Sequence, residues 1–165
     1  MKNGGILALL GGIITLVGTF VLTFYESTTY NIKGSGIGLL VNIEDSLAMA
    51  ASYGWIVYFF EILFLVLIWG GVLSIIGAKV RVLAILGGIF AIILAVFLIM
   101  VAFVGYNLPD DVLTAGFFFS GPSGAYPLHI AVGDYVVPDL TAGLGIYFLL
   151  VGGVLAFIGG VMPRD

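Results

Sequence analysis

The strongest constraint in this sequence is a duplication of its apolar segments. The run LALLGGI at 7–13 returns as LAILGGI at 83–89, and GGVLSIIG at 70–77 returns as GGVLAFIG at 152–159. Because the first segment matches the third and the second matches the fourth, the pattern predicts two helical hairpins of the same orientation, related by an axis along the membrane normal. We expect repeats of about 4–78 and 82–162 within one tetraspan membrane domain covering 1–165.

The composition excludes a soluble globular protein. Hydrophobic residues make up 62% of the chain, charged residues make up 8%, and the mean hydropathy is +1.28. A membrane-spanning helix needs about 20 mostly apolar residues, and four windows have that length: 4–25, 53–78, 82–106 and 141–162. The first window is too long for the apolar core of a cleaved signal peptide and has no small-x-small site after it, so we expect it to remain as a span.

The basic residues predict the orientation of these spans. Lys2, Lys79, Arg81 and Arg164 flank ends that would share one side of the membrane, and Lys33 falls on the other side. The positive-inside rule therefore predicts an integral, multi-pass protein of the plasma membrane with both termini in the cytoplasm.

The two segments between the hairpin arms predict a structured cap. Runs rich in β-branched and aromatic residues, punctuated by Gly, Pro and Asn, favour short strands and turns; these runs are 28–32, 38–43, 116–120, 127–132 and 135–137. The predicted fold is an all-α membrane protein: a four-transmembrane-helix bundle built from two repeated hairpins, with a small extracellular cap of loops and short β-strands. In topology alone this plan resembles tetraspan proteins such as claudins and tetraspanins. Their outer-loop cysteines are missing here, so no functional residue is carried over.

Glycine pairs predict where the helices pack most closely. Helices in lipid associate through small residues that let their backbones approach, and residues four apart share a helical face. We expect one tight layer, toward the cytoplasmic half of the bundle, formed by Gly11, Gly12, Gly70, Gly71, Gly87, Gly88, Gly152 and Gly153.

Glu61 is the one ionisable residue well inside a predicted span, which makes it the candidate site of this chain. It lies six residues from Trp55, about 9 Å along a helix, and on the face opposite Gly70. Three interpretations remain open: a contact or hydrogen bond at an interface with a partner, an ion or proton path, and no special role.

Catalytic and metal-binding motifs are missing. There is no cysteine, and the only histidine, His129, is expected to be structural or solvent-exposed rather than a ligand. No nucleophile elbow, HExxH, Walker or Rossmann pattern occurs, so we expect no enzyme, cofactor or metal site. Five basic residues are too few for a nucleic-acid surface.

The leading functional hypothesis is a non-catalytic structural or accessory subunit of a membrane protein complex, or a self-assembling tetraspan. Its expected partners are the lipid bilayer and other membrane subunits or further copies of the chain. The alternative is a small ion or proton channel or transporter that uses Glu61. A membrane-enzyme subunit that contributes a quinone or lipid pocket is a third class, but no residue points to it.

Overall fold

The structure, a computed structural model, describes residues 3–27, 32–36, 55–104 and 141–163. Within these ranges the elements are helices α1 (Asn3–Phe20), α2 (Trp55–Ile76), α3 (Arg81–Val104) and α4 (Leu144–Val161), and strands β1 (Thr23–Ser27), β2 (Ile32–Ser35) and β3 (Thr141–Ala142). Among the described residues, α1, α3 and α4 are long and apolar enough to cross a membrane, and α2 contributes the apolar segment Phe64–Ile76. The prediction of a mainly helical, membrane-embedded protein is therefore confirmed.

The four helices are arranged around a ring. The α1–α4 contact is the most extensive, the α3–α4, α2–α3 and α1–α2 contacts complete the circuit, and the diagonal contact between α1 and α3 is slight. Each helix therefore has two main neighbours within the bundle, and its remaining surface faces outward.

Helix α1 ends five residues before the end of its predicted window. The carbonyl oxygen of Val17 accepts hydrogen bonds from the backbone N–H groups of Val21 at 2.9 Å and Leu22 at 3.3 Å, which closes the last turn. The residues that follow are β-branched or aromatic and form β1 instead. The window 141–162 also begins too early, because Thr141–Ala142 forms β3. Hydropathy alone does not separate an apolar strand from the end of an apolar helix.

The described strands form one antiparallel sheet in the order β2-β1-β3. Thr23 pairs with Ser35 and Tyr25 pairs with Gly34, so the register shifts between these pairs and Phe24 is the extra residue of a β-bulge. Most of the predicted strand runs lie outside the described residues; Ile32, the last residue of one run, begins β2. We call the end of the bundle that carries this sheet the sheet end.

At the opposite end, a tight turn joins α2 to α3. Its backbone N–H groups are bonded in sequence: Gly77 to the carbonyl of Leu73 at 2.7 Å, Ala78 to that of Ile75 at 3.0 Å, and Lys79 to that of Ile76 at 3.0 Å. Gly77 lies directly against Ala84 of α3, where a Cβ atom would collide with the Ala84 backbone. We call this end the turn end.

Candidate functional site

The eight predicted packing glycines are all buried at contacts between helices. In the α1–α2 contact, a Cβ atom on Gly12 would lie 2.8 Å from the carbonyl oxygen of Gly71. In the α3–α4 contact, a Cβ atom on Gly88 would lie 2.7 Å from the carbonyl oxygen of Gly153. Both distances are shorter than real side chains allow, so these helices meet backbone to backbone.

The other two contacts of the ring use the neighbouring glycine of each pair. A Cβ atom on Gly11 would lie 2.5 Å from the carbonyl oxygen of Gly152, across the α1–α4 contact. A Cβ atom on Gly87 would lie 2.5 Å from the carbonyl oxygen of Gly70, across the α2–α3 contact. The four contacts close a circuit at one level of the bundle, which we call the glycine layer.

The glycine layer lies at the middle of the two shorter helices. Gly11 and Gly12 are the central residues of Asn3–Phe20, and Gly152 and Gly153 are the central residues of Leu144–Val161. Each of these helices therefore extends about 12 Å to either side of the layer, at 1.5 Å per residue. The layer is more central than the position expected from the flanking basic residues.

The buried hydroxyl groups of the described spans are bonded within their own helices. Thr15 Oγ1 donates to the carbonyl of Gly11 at 2.9 Å, Thr19 Oγ1 donates to that of Thr15 at 2.8 Å, and Ser74 Oγ donates to that of Gly70 at 2.8 Å. Because their protons are used locally, these hydroxyls pack at the helix contacts as small residues and leave no unsatisfied donor there.

Between the glycine layer and the sheet end, the interior is apolar. The β-bulge turns Phe24 down into the bundle, where its side chain is 0% exposed. It packs in a buried cluster with side chains from three helices: Phe64, Leu67, Leu94, Ala95, Leu98, Ile146 and Leu149. Sequence reasoning missed Phe24, because it assigned this residue to the end of the first helix.

Glycines also let the sheet sit directly on the helix ends. The backbone N–H of Gly143 donates to the carbonyl of Phe24 at 2.7 Å. A Cβ atom on Gly145 would lie 2.7 Å from the carbonyl oxygen of Thr23, and one on Gly36 would collide with the carbonyl of Thr19. The sheet therefore contacts the ends of both α1 and α4 and fixes the position of Phe24 between them.

At the turn end, one side chain links α3 to α4. Arg81, the first residue of α3, donates from Nε to the carbonyl of Gly160 at 3.2 Å and from its terminal nitrogen to the carbonyl of Val161 at 2.9 Å. The last carbonyls of a helix lack partners within the helix, and cations are favoured there. Arg81 therefore caps α4. In the sequence, Arg81 indicated only the orientation of the spans.

Glu61 lies in the part of α2 that is toward the sheet end. Its backbone belongs to α2, and its side chain lies outside the described residues. It is nine residues from Gly70, about 14 Å toward the sheet end, whereas α4 begins about 12 Å from the glycine layer. By this count Glu61 lies close to the level at which α4 begins, near the sheet end of the bundle.

His129, the only histidine of the chain, lies outside the described residues. Among the residues that the structure does describe, no group of three or more His, Cys, Asp or Glu side chains is placed to hold a metal ion. No protein family, curated protein or solved structure matches this chain.

Proposed function

We propose that this protein is a non-catalytic tetraspan subunit that supports a membrane protein complex. In this proposal the bundle crosses the membrane four times as two repeated hairpins, with both termini in the cytoplasm. The observation that carries it is the filled interior: backbone contacts close the glycine layer, and Phe24 and the apolar cluster around it fill the part toward the sheet.

The paired contacts support the two-hairpin architecture. The Gly12–Gly71 contact within the first hairpin uses the same repeat positions as the Gly88–Gly153 contact within the second. The two contacts between hairpins, α1–α4 and α2–α3, also use matching positions of the repeat. Such an arrangement follows if a duplicated hairpin packs against its own copy about an axis along the membrane normal.

The distribution of polar groups favours a structural role over conduction. An ion or proton path requires polar or titratable groups facing a hydrated cavity. Here the buried hydroxyls of Thr15, Thr19 and Ser74 donate to their own helices. Glu61, on which the alternative of a channel depends, lies nine residues from Gly70 toward the sheet end, away from the glycine layer.

The test combines flux with the mass of the native assembly, for the wild type, Glu61→Gln and Glu61→Leu. We expect proteoliposomes of the wild type to show no proton or potassium flux above protein-free liposomes. We also expect gentle purification from native membranes to yield an assembly heavier than one chain. If Glu61 serves an interface, Glu61→Gln should preserve the assembly and Glu61→Leu should weaken it, because a partner's polar group would lose its hydrogen bond.

Two results would contradict the proposal. A flux that disappears in Glu61→Gln, with the assembly mass unchanged, would establish the channel alternative. A single chain in native mass measurements, together with an inactive channel assay, would exclude both the subunit and the channel.

A further inference from the structure

We infer that the outward stripe of α2 centred on Trp69 binds a transmembrane helix of a different protein, and that this helix places a hydrogen-bond acceptor opposite the Trp69 indole. The inference rests on the proposed function, since it identifies the surface through which the subunit would join its complex. We define the α2 stripe as the large apolar side chains of α2 that face outward among its described side chains: Ile62, Leu65, Trp69 and Ile76.

The first observation is the depth of Trp69. It directly precedes Gly70, so it lies at the glycine layer, about 12 Å from either end of α4. Tryptophan in membrane proteins concentrates at the two interfaces, where its N–H reaches water or lipid headgroups. If the bundle crosses the membrane as proposed, this depth lies inside a hydrocarbon core about 30 Å thick, away from the headgroup oxygens at either surface.

The second observation is that Trp69 is exposed and lacks an acceptor. Its side chain is 59% exposed, and none of the described residues accepts a hydrogen bond from its indole N–H. Lipid tails offer no acceptor, so the donor is unsatisfied while this surface faces lipid. A large aromatic side chain with a polar tip is also the type most enriched where binding energy concentrates in interfaces.

The third observation is that the second repeat lacks this feature. Val151, 52% exposed, precedes Gly152 as Trp69 precedes Gly70. At this depth the matching surface of α4 is therefore apolar and suited to contact with lipid, although α2 and α4 occupy equivalent positions of the repeat. The two surfaces therefore differ in what they can bind.

Among the residues that the structure describes, a second copy of the chain offers no exposed acceptor at the depth of Trp69. In a twofold dimer through α2, each Trp69 would face another donor. The other described outward side chains near this depth are apolar, among them Ile13 of α1, Phe90 of α3 and Val154 of α4. The hydroxyls of Thr15, Thr19 and Ser74 are at most 1% exposed. The occupant that fits is a helix with a Ser, Thr, Asn or Gln side chain at mid-membrane depth.

Trp69 fluorescence tests this inference directly. In a Trp55→Phe background, Trp69 is the only tryptophan, and phosphatidylcholine brominated midway along one acyl chain quenches tryptophans that face lipid. We expect strong quenching for the purified chain in such vesicles and a loss of quenching for the native complex in the same lipid. The matched control, Val151→Trp with both native tryptophans replaced by Phe, should be quenched equally in both preparations.

Each contrary outcome has a distinct meaning. A native complex in which Trp69 stays quenched while Val151→Trp is protected would overturn the inference and leave the proposed function standing. Protection of Trp69 when the pure chain is concentrated in vesicles would show that a second copy covers the stripe, which also overturns it. Isolation of the chain as a monomer from native membranes would refute the proposed function and the inference together.

A second measurement isolates the hydrogen bond. Trp69→Phe keeps an aromatic ring and removes the N–H, and we expect it to weaken the native complex by about threefold to tenfold in dilution experiments. Val151→Phe serves as the control and should leave the complex unchanged. Equal stability of the wild-type and Trp69→Phe complexes would show that no acceptor faces the indole.

Discussion

Replacing Gly87 with alanine inserts one methyl group into the α2–α3 contact. The new Cβ atom would lie 2.5 Å from the carbonyl oxygen of Gly70 and 2.7 Å from the backbone nitrogen of Ser74, and it would also meet Ser74 Oγ. The distance to the Gly70 oxygen is about 0.9 Å shorter than the shortest ordinary contact. Both backbone atoms belong to a helix, so relief requires α2 and α3 to separate.

The magnitude follows from two opposing effects. Overpacking of this kind costs about 1–3 kcal/mol, and the higher helix propensity of alanine returns up to about 1 kcal/mol. We therefore expect Gly87→Ala to lower the free energy of unfolding by about 1–2 kcal/mol.

Gly70 provides a matched control in the same contact. A Cβ atom on Gly70 would lie 3.3 Å from its nearest neighbour, the carbonyl oxygen of Gly87. The carbonyl would have to move by only a few tenths of an ångström, and the higher helix propensity of alanine offsets that cost, so Gly70→Ala should be close to neutral. The two variants should differ by about 1–2 kcal/mol, or roughly 2–8 °C in melting temperature for a chain of this size.

Melting temperatures in one detergent, and the free energy of unfolding in bicelles by steric trapping, measure this difference. Gly11→Ala should behave like Gly87→Ala, because its Cβ atom would lie 2.5 Å from the carbonyl oxygen of Gly152. If Gly87→Ala is as stable as Gly70→Ala, the two helices do not approach as described and the steric reasoning is wrong.

Three further predictions concern the two ends of the bundle. Phe24→Ala should lower the free energy of unfolding by about 3–5 kcal/mol, because it leaves a cavity. The control Val21→Ala, at a side chain that is 70% exposed, should change that free energy little. Equal effects would show that Phe24 does not fill the interior. Arg81→Met should lower the free energy of unfolding by about 1–2 kcal/mol and speed hydrogen exchange at the end of α4. The control Lys79→Met, at an exposed residue, should change neither quantity. Unchanged exchange in Arg81→Met would argue against the cap. A reporter fused to the C-terminus should be active in the cytoplasm, and its appearance on the outer surface would reverse the proposed orientation.

The sequence allowed the helical elements to be predicted because their signals are local. A span needs a long apolar run, and each of the four helices begins and ends within a few residues of its predicted window. The largest error lies at 23–25, which the first predicted window includes and which the structure places in β1. There the apolar run continues while β-branched and aromatic residues favour a strand, and hydropathy does not distinguish the two.

The role of Glu61 stays a prediction, because its side chain lies outside the described residues. The structure adds its position along α2, nine residues from Gly70 toward the sheet end.

The sequence by itself determined which small residues allow the helices to approach closely, because each glycine can be identified directly in the sequence. Only the tertiary structure decided which backbone each glycine meets, because that depends on how the helices are placed around the ring. The tertiary structure also decided the positions of side chains that depend on elements distant in sequence. Phe24 fills the interior because a bulge in β1 turns it inward. Arg81 caps α4 because the turn end places it beside Gly160 and Val161. In the sequence, Trp69 does not stand out from the other apolar residues of its span. The packing of α2 on α1 and α3 leaves its side chain facing outward at the level of the glycine layer.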